Sequence, residues 1–194
     1  NQWEVVSNAE ASGGTAMRAS PDSGVRIDST FVTDSPRLDY TINFLQAGTH
    51  YVWVLGLAGG SKANSSDSVH VGLNGSAVDS ADQMTGFRGN GFSWETETRD
   101  GGAIATLNIP APGTYTLNVW MREDGFVFDS ILLTTNPDYN PNNDPLPDIS
   151  EPIPDTQAPT ATLNGSNLTI PENSSQAYSF RVTFSDDTAV DVAS

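Results

Sequence analysis

Apolar and polar residues alternate with a period of two from Trp3 to Thr135, and every few residues the pattern is broken by glycine, asparagine, aspartate or proline. RLDYTINF (Arg37 to Phe44), THYVWVLGL (Thr49 to Leu57), DSVHVGL (Asp67 to Leu73), AIATLNI (Ala103 to Ile109) and TYTLNVWM (Thr114 to Met121) are rich in branched and aromatic residues, as half-buried strands are. No segment keeps the helical repeat for as many as ten residues. AGT at Ala47 to Thr49, LNGS at Leu73 to Ser76 and APGT at Ala111 to Thr114 supply the reversals between strands. Strands this short and this closely spaced can bury their apolar sides only against one another. The expected fold is therefore all-β, an antiparallel two-sheet sandwich of the jelly-roll kind.

The pattern does not fill the chain. Residues 1–137 hold the sandwich, and residues 138–158, rich in proline, asparagine and aspartate, read as a semi-extended linker. From 159 to 194 a second β pattern begins, with alternation at Tyr178, Phe180, Val182 and Phe184. It is too short for a complete sandwich of about seven strands. The opening NQWEVVSNAE has neither the basic start nor the apolar stretch of a signal peptide, so an exported protein is expected to be represented here by a processed piece.

Twenty-four acids against eight bases give a formal charge of −16. Nucleic acid and anionic membrane both need Lys and Arg to neutralise phosphate, so this balance opposes either partner. There is no cysteine, hence no disulfide framework and no thiolate metal site. No apolar run approaches the roughly 20 residues of a membrane span. High acidity with few lysines suits a secreted protein that stays soluble in salt.

The most unusual stretch is NVWMREDGFVFDSILLT, Asn118 to Thr134. Two apolar runs flank Arg122-Glu123-Asp124-Gly125, a β-hairpin whose glycine can take the positive φ of a tight reversal. In the first strand Tyr115, Leu117, Val119 and Met121 share one face, and Thr116, Asn118 and Trp120 share the wetter one. In the second, Asp129 shares a face with Val127, Ile131 and Leu133. A carboxylate there costs several kcal/mol unless it is paired, hydrogen-bonded or bound to a cation.

Together with SNAEASGG (Ser7 to Gly14), PRLDY (Pro36 to Tyr40), AGTHYVWVLG (Ala47 to Gly56) and DSVHVGLNG (Asp67 to Gly75), this hairpin resembles the carbohydrate-binding modules of polysaccharide-degrading enzymes from marine and gut bacteria. The chain is distantly similar to carbohydrate-binding families six and thirty-five and to the C-terminal domain of xylan α-glucuronidases. The tail from Thr156 resembles the first strands of an immunoglobulin-like or cadherin-like spacer. The resemblance implies a secreted, non-catalytic module, monomeric and tethered to a catalytic domain, that binds a plant or algal polysaccharide. It also implies a structural calcium, held by Asp129 with acids near the first strand, matched here by Glu10 and Glu4. Calcium takes six to eight oxygens, so two or three acids plus carbonyls suffice. The alternative for Asp129 is a carboxylate that accepts backbone N–H groups. One departure is Leu55, where relatives are expected to carry a basic residue.

The same resemblance nominates sugar contacts. Arg122, Glu123 and Asp124 offer a fork of donors beside acceptors, unless they are only a solvated turn. Trp94, in the glycine-rich GFSWETET, can stack on the apolar face of a pyranose or plug the end of the sandwich. Trp120 can be a platform or simply cover a sheet face. Arg88 can hydrogen-bond hydroxyls or an acidic sugar, or serve only the surface. Tyr51 and Trp53 are expected in the core, and His70 as a structural histidine. An uncharged galactan or xylan suits the acidic surface.

Two rivals stand beside binding. One is a structural or adhesive spacer. The other is a small lyase or hydrolase, since Glu95 and Glu97 lie on one side of a strand roughly 7 Å apart, within the range of about 5 to 10 Å that glycosidase carboxylates use. No phosphate loop, histidine triad or serine nucleophile motif accompanies them.

Overall fold

The computed structural model describes residues 1–60, 66–146, 160–163 and 166–169. The chain divides into two compact units, Asn1–Asp144 and Pro145–Ser194. Among the described residues the first unit holds ten strands: β1 (Gln2–Ser7), β2 (Thr15–Ser20), β3 (Arg37–Phe44), β4 (Gly48–Leu57), β5 (Val69–Leu73), β6 (Ser76–Ala77), β7 (Ser93–Glu95), β8 (Thr106–Ile109), β9 (Gly113–Met121) and β10 (Val127–Thr134), with a one-turn helix α1 (Phe31–Asp34). One sheet runs β1-β2-β10-β4, with β7 and β8 both paired to the far side of β4, and the other runs β3-β9-β5-β6. Every pairing is antiparallel. The second unit's described part is one antiparallel hairpin, β11 (Thr160–Leu163) with β12 (Ser166–Thr169). The alternation at Tyr178 to Phe184 lies outside the described residues.

The alternation seen in the sequence decides which side chains fill the sandwich. Along β4, Val52 and Val54 point inward and are fully buried, while Tyr51, Trp53, Leu55 and Leu57 stand half-buried on the outer face. Tyr51 and Trp53 thus decorate the outside of the six-stranded sheet, contrary to the expectation of core rings. Both faces of a central strand can be apolar, and period alone does not say which one is inner. Val52, Val54, Val71, Leu117, Val119 and Phe128 pack in one contiguous core. Each such burial contributes about 1.5–3 kcal/mol. Gly56 is small by necessity, because a Cβ there would strike the Phe126 ring.

On β10 the register breaks. Phe128 pairs with Gly56 and Ser130 with Leu55, so Asp129 is the extra, unpaired residue of a β-bulge. Asp129 therefore does not share a face with the apolar residues of its strand as regular alternation predicts. Val127 joins a small outer cluster with Ala11 and Ala16, while Ile131 and Leu133 pack on the main core.

Candidate functional site

The β9–β10 turn is a turn, with Gly125 at φ 87°, but it is neither solvated nor open. Arg122, Glu123 and Asp124 are 2%, 4% and 0% exposed. The Arg122 guanidinium reaches Asp28 Oδ1 at 2.7 Å and Glu123 Oε1 at 3.2 Å, and donates to Ser68 Oγ at 2.6 Å. Glu123 Oε2 accepts from the Asp67 N–H at 3.0 Å and the Ser68 hydroxyl at 2.7 Å. Asp124 sits in a nest: Oδ2 accepts from the N–H and hydroxyl of Ser23, and Oδ1 from the N–H groups of Gly24 and Val25, all within 2.9 Å. Burial opposes the charge on Asp124, but these donors outweigh it and hold the carboxyl below its ordinary range. Burial, a hydrogen bond with Glu123 and the Glu123 charge push Asp67 the other way, against Arg99 and Arg122.

The three charges thus clamp two loops, residues 22–28 and 66–68, to the hairpin. A buried charge is tolerable only when its valences are filled by partners, and here they are filled from inside the protein. No local pattern announces this, because Ser23, Asp28, Asp67 and Ser68 lie between 54 and 101 residues from the turn residues they bind. Sugar contact by Arg122, Glu123 and Asp124 is corrected accordingly: their polar atoms face Asp28, Ser68, Asp67 and Ser23, not solvent.

Loop 22–28 continues into α1, which covers the outer face of the four-stranded sheet. Phe31 stacks on His70 at 3.8 Å between ring centroids and meets Trp120 edge-on at 5.4 Å. Trp120 does point away from the core as the alternation predicts, yet it is fully buried beneath Phe31, with the Arg37 guanidinium 5.8 Å from its centroid. The ring covers a sheet face and is not an open platform. His70 is structural as expected: Nδ1 accepts from the Gln83 N–H at 3.1 Å, which leaves Nε2–H to donate to Ile27 O at 2.9 Å. Burial lowers its pKa to about 4, so the ring is neutral.

The other nominated aromatic has a different setting. Trp94 is half-buried on β7, and register places it in one row across three strands with Leu55 of β4 and Ser130 of β10. Trp53 and Leu132 form the next row on the same outer face. On one flank stands loop 8–14, where the Ser12 N–H donates to Asp129 Oδ1 at 2.9 Å and Glu10 Oε2 lies 3.7 Å from the Cβ position of Gly91. On the other, Asn142 Nδ2 donates to Trp94 O at 3.0 Å, which ties residues beyond 137 to the first unit. Arg88 is exposed nearby, its carbonyl accepting from the Ala58 N–H. The face therefore offers an indole and a phenol-bearing strand between polar rims. Glu95 turns from this row toward Gly86, and burial raises its pKa, with the Glu97 charge adding to the effect.

The acids nominated for calcium are not gathered. Asp129 Oδ2 accepts from the Ser130 hydroxyl and Oδ1 from Ser12, so both oxygens are engaged by the protein. Glu4 stands opposite Arg18 on the β1–β2 ladder and is exposed, as is Glu10. Among the described residues no group of three or more His, Asp or Glu is placed to hold a metal ion. These three residues do not fit a calcium site, and the bulged Asp129 has the backbone partner that the alternative reading requires.

Residues 1–140 match the model of the glycosyl hydrolase family 115 C-terminal domain. The uncharacterized protein P23 of Formosa agariphila is 33% identical over 138 residues, which is 68% of this chain and 30% of that protein. The chain therefore spans less than a third of this relative's length. Two solved structures are similar at lower identity. The GH26-CBM35 β-(1,4)-mannanase of Podospora anserina is 15% identical at a TM-score of 0.47, over 72% of this chain and 26% of that one. The exo-β-1,3-galactanase of Phanerochaete chrysosporium, solved with galactose, is 20% identical at a TM-score of 0.42, over 68% and 26%. With one family model covering residues 1–140 of 194, the chain belongs to the glycosyl hydrolase family 115 C-terminal domains, β-sandwich modules ancillary to the catalytic part of such enzymes.

Proposed function

We propose that this domain is a non-catalytic carbohydrate-binding module of a secreted polysaccharide-degrading enzyme, tethered to that enzyme's catalytic domain, and that it holds a glycan chain across the outer face of the six-stranded sheet at Trp94. The observation that carries this reading is the row Trp94–Leu55–Ser130, a half-exposed indole on a rigid strand beside a hydroxyl and between two polar loops. A pyranose presents apolar C–H faces and a rim of hydroxyls, and so needs a flat apolar surface flanked by hydrogen-bonding groups. Arg88 is exposed at the edge of this face and serves as a donor to hydroxyls.

Screening the chain on a glycan array and titrating the best hit by tryptophan fluorescence tests the proposal. Trp94→Ala should weaken binding ten- to hundredfold, on the order of 1 to 3 kcal/mol for loss of an aromatic anchor. Binding that is unchanged in a folded Trp94→Ala protein would move the site elsewhere. A spacer role is the second reading, favoured by the internal use of every charge in the β9–β10 turn. It expects no glycan to change the fluorescence at all.

A further inference from the structure

The chain leaves β10 on one side of β4 and is next held on the other. Thr134, the last residue of β10, pairs with Tyr51 of β4, whereas Asn142 Nδ2 donates to the carbonyl of Trp94, which pairs with Leu55 from the opposite flank of β4. These two rows lie about 14 Å apart along the strand and about 10 Å apart across it, a direct separation of about 17 Å. Residues 134 to 142 reach about 29 Å at most when fully extended, and a turn in which the Tyr139 N–H donates to Asn136 O at 3.4 Å shortens that reach. A detour round the Gly48 end of β4 needs about 35 Å. At the other end β4 runs on to Ala58, whose N–H donates to Arg88 O at 3.0 Å, and the inner face is packed core. Residues 135–142 therefore cross the outer face of β4 between the Tyr51 and Leu55 rows, at the level of Trp53. Pro141 is buried, and Tyr139 and Asn140 are half-buried. The far end is knotted: Asn140 O accepts from the N–H groups of Asn143 and Asp144 at 2.9 and 2.8 Å, and Asp144 Oδ2 accepts from the Asn140 N–H at 2.8 Å.

From this crossing we infer that residues 135–142 are a strap over the Trp53–Tyr51 half of the outer face, which limits the Trp94 site to a short glycan segment, with Pro141 and Asn142 as the residues that set ligand length. The length limit rests on the sugar-binding reading given above, and the coverage does not. Trp94, Trp53 and Tyr51 stand on one outer face, successive rings about 8 Å and about 7 Å apart by strand geometry. Bare, they would form an aromatic row along β4 on which the sugar rings of a longer chain would stack. Under the strap the Trp94 end alone is left to a ligand, bounded by Asn142 beside β7 and by loop 8–14 beyond Ser130. The strap also gives Tyr51 and Trp53, apolar rings placed outside the core, a cover from within the chain.

The test uses the whole chain, the variant Asn142→Ala and the double variant Pro141→Gly, Asn142→Ala, with folding checked by a cooperative melting curve. Asn142 is exposed, so the single variant carries the same comparison should the double one fail to fold. Without ligand, hydroxyl-radical footprinting should mark Trp53 and Tyr51 at least threefold faster in the double variant than in the parent, with Trp3 on β1 unchanged as the reference. Equal rates would overturn the strap, whatever the sugar results. With xylo- and galacto-oligosaccharides as trimers and hexamers, the parent should bind hexamer less than fivefold more tightly than trimer, the margin that extra registers on a longer chain supply. In the double variant the hexamer should gain at least a further tenfold while trimer binding moves less than threefold, because the freed rings add stacking contacts. A parent that already gains tenfold from trimer to hexamer, or a double variant whose hexamer gains nothing, would overturn the length limit and leave the sugar site intact. Binding of neither series, or binding indifferent to Trp94→Ala, would overturn the sugar site itself and the length limit with it.

Discussion

The β9–β10 turn and the Trp94 face look alike as sequence, since each sets charged and aromatic residues beside glycine. In three dimensions they are opposites. The turn's guanidinium and carboxylates are spent on Asp28, Ser68, Asp67 and Ser23, whereas the Trp94 row is only partly buried and has the exposed Arg88 and Glu10 beside it. Charge density therefore does not mark a binding site. What marks it is whether the valences are filled from within.

That contrast breaks most visibly at Arg122. Replacing it with alanine strands Glu123 in the interior, and losing one partner of a buried pair costs about 3–5 kcal/mol. Urea unfolding of Arg122→Ala should show a loss of that size. A loss below about 1 kcal/mol would mean the turn is a surface feature after all.

Acid should attack the same region through His70. Its pKa is lowered by burial to about 4 from an ordinary 6.5, so the folded state binds its proton less readily than the unfolded chain. The stability this lends is complete above pH 6.5 and is lost as pH falls from 6.5 toward 4, by about 3 kcal/mol over the whole interval. Unfolding free energies of the parent and of His70→Phe, measured from pH 7.5 to 4, should converge at the acid end. Parallel curves would show that His70 does not report on the clamp.

On the other side of the comparison, Trp94→Ala should cost less unfolding free energy than Arg122→Ala, about 1–2 kcal/mol, since the residue is only partly buried. Its effect belongs to binding. A variant that unfolds several kcal/mol more easily would make Trp94 a structural plug.

The smallest effect is expected at Asp129. Asp129→Ala removes the acceptor of Ser12 and should cost about 1 kcal/mol. Melting in calcium should match melting in chelator. A rise of several degrees in calcium would show that the ion finds other oxygens in this domain.

These contrasts also mark where the sequence was legible. Alternation in β4 and β9, with turn glycines between strands, located the strands and the core valines, because period two is a local property. The turn at Gly125 was equally local. The fate of Arg122 was not, since its partners Asp28 and Ser68 come from other loops. Trp53 and Tyr51 misled because β4 is central and carries apolar residues on both faces. Asp129 misled because a bulge shifts every later residue by one place, and no residue type announced it. Trp94 was found through its glycine-rich surroundings, but its row mates Leu55 and Ser130 came only from register.

The nest around Asp124 also has a consequence in time. Ser23 and its acceptor are separated by 101 residues, so a ribosome working at about 5–20 residues per second places roughly 5–20 s between their appearances. Throughout that interval Phe31 has neither the Trp120 ring to meet nor a clamp to hold its loop. Contacts of such long sequence range form late and slow the search for the native state. A nascent chain halted before Asp124 would therefore display its first loop unlatched.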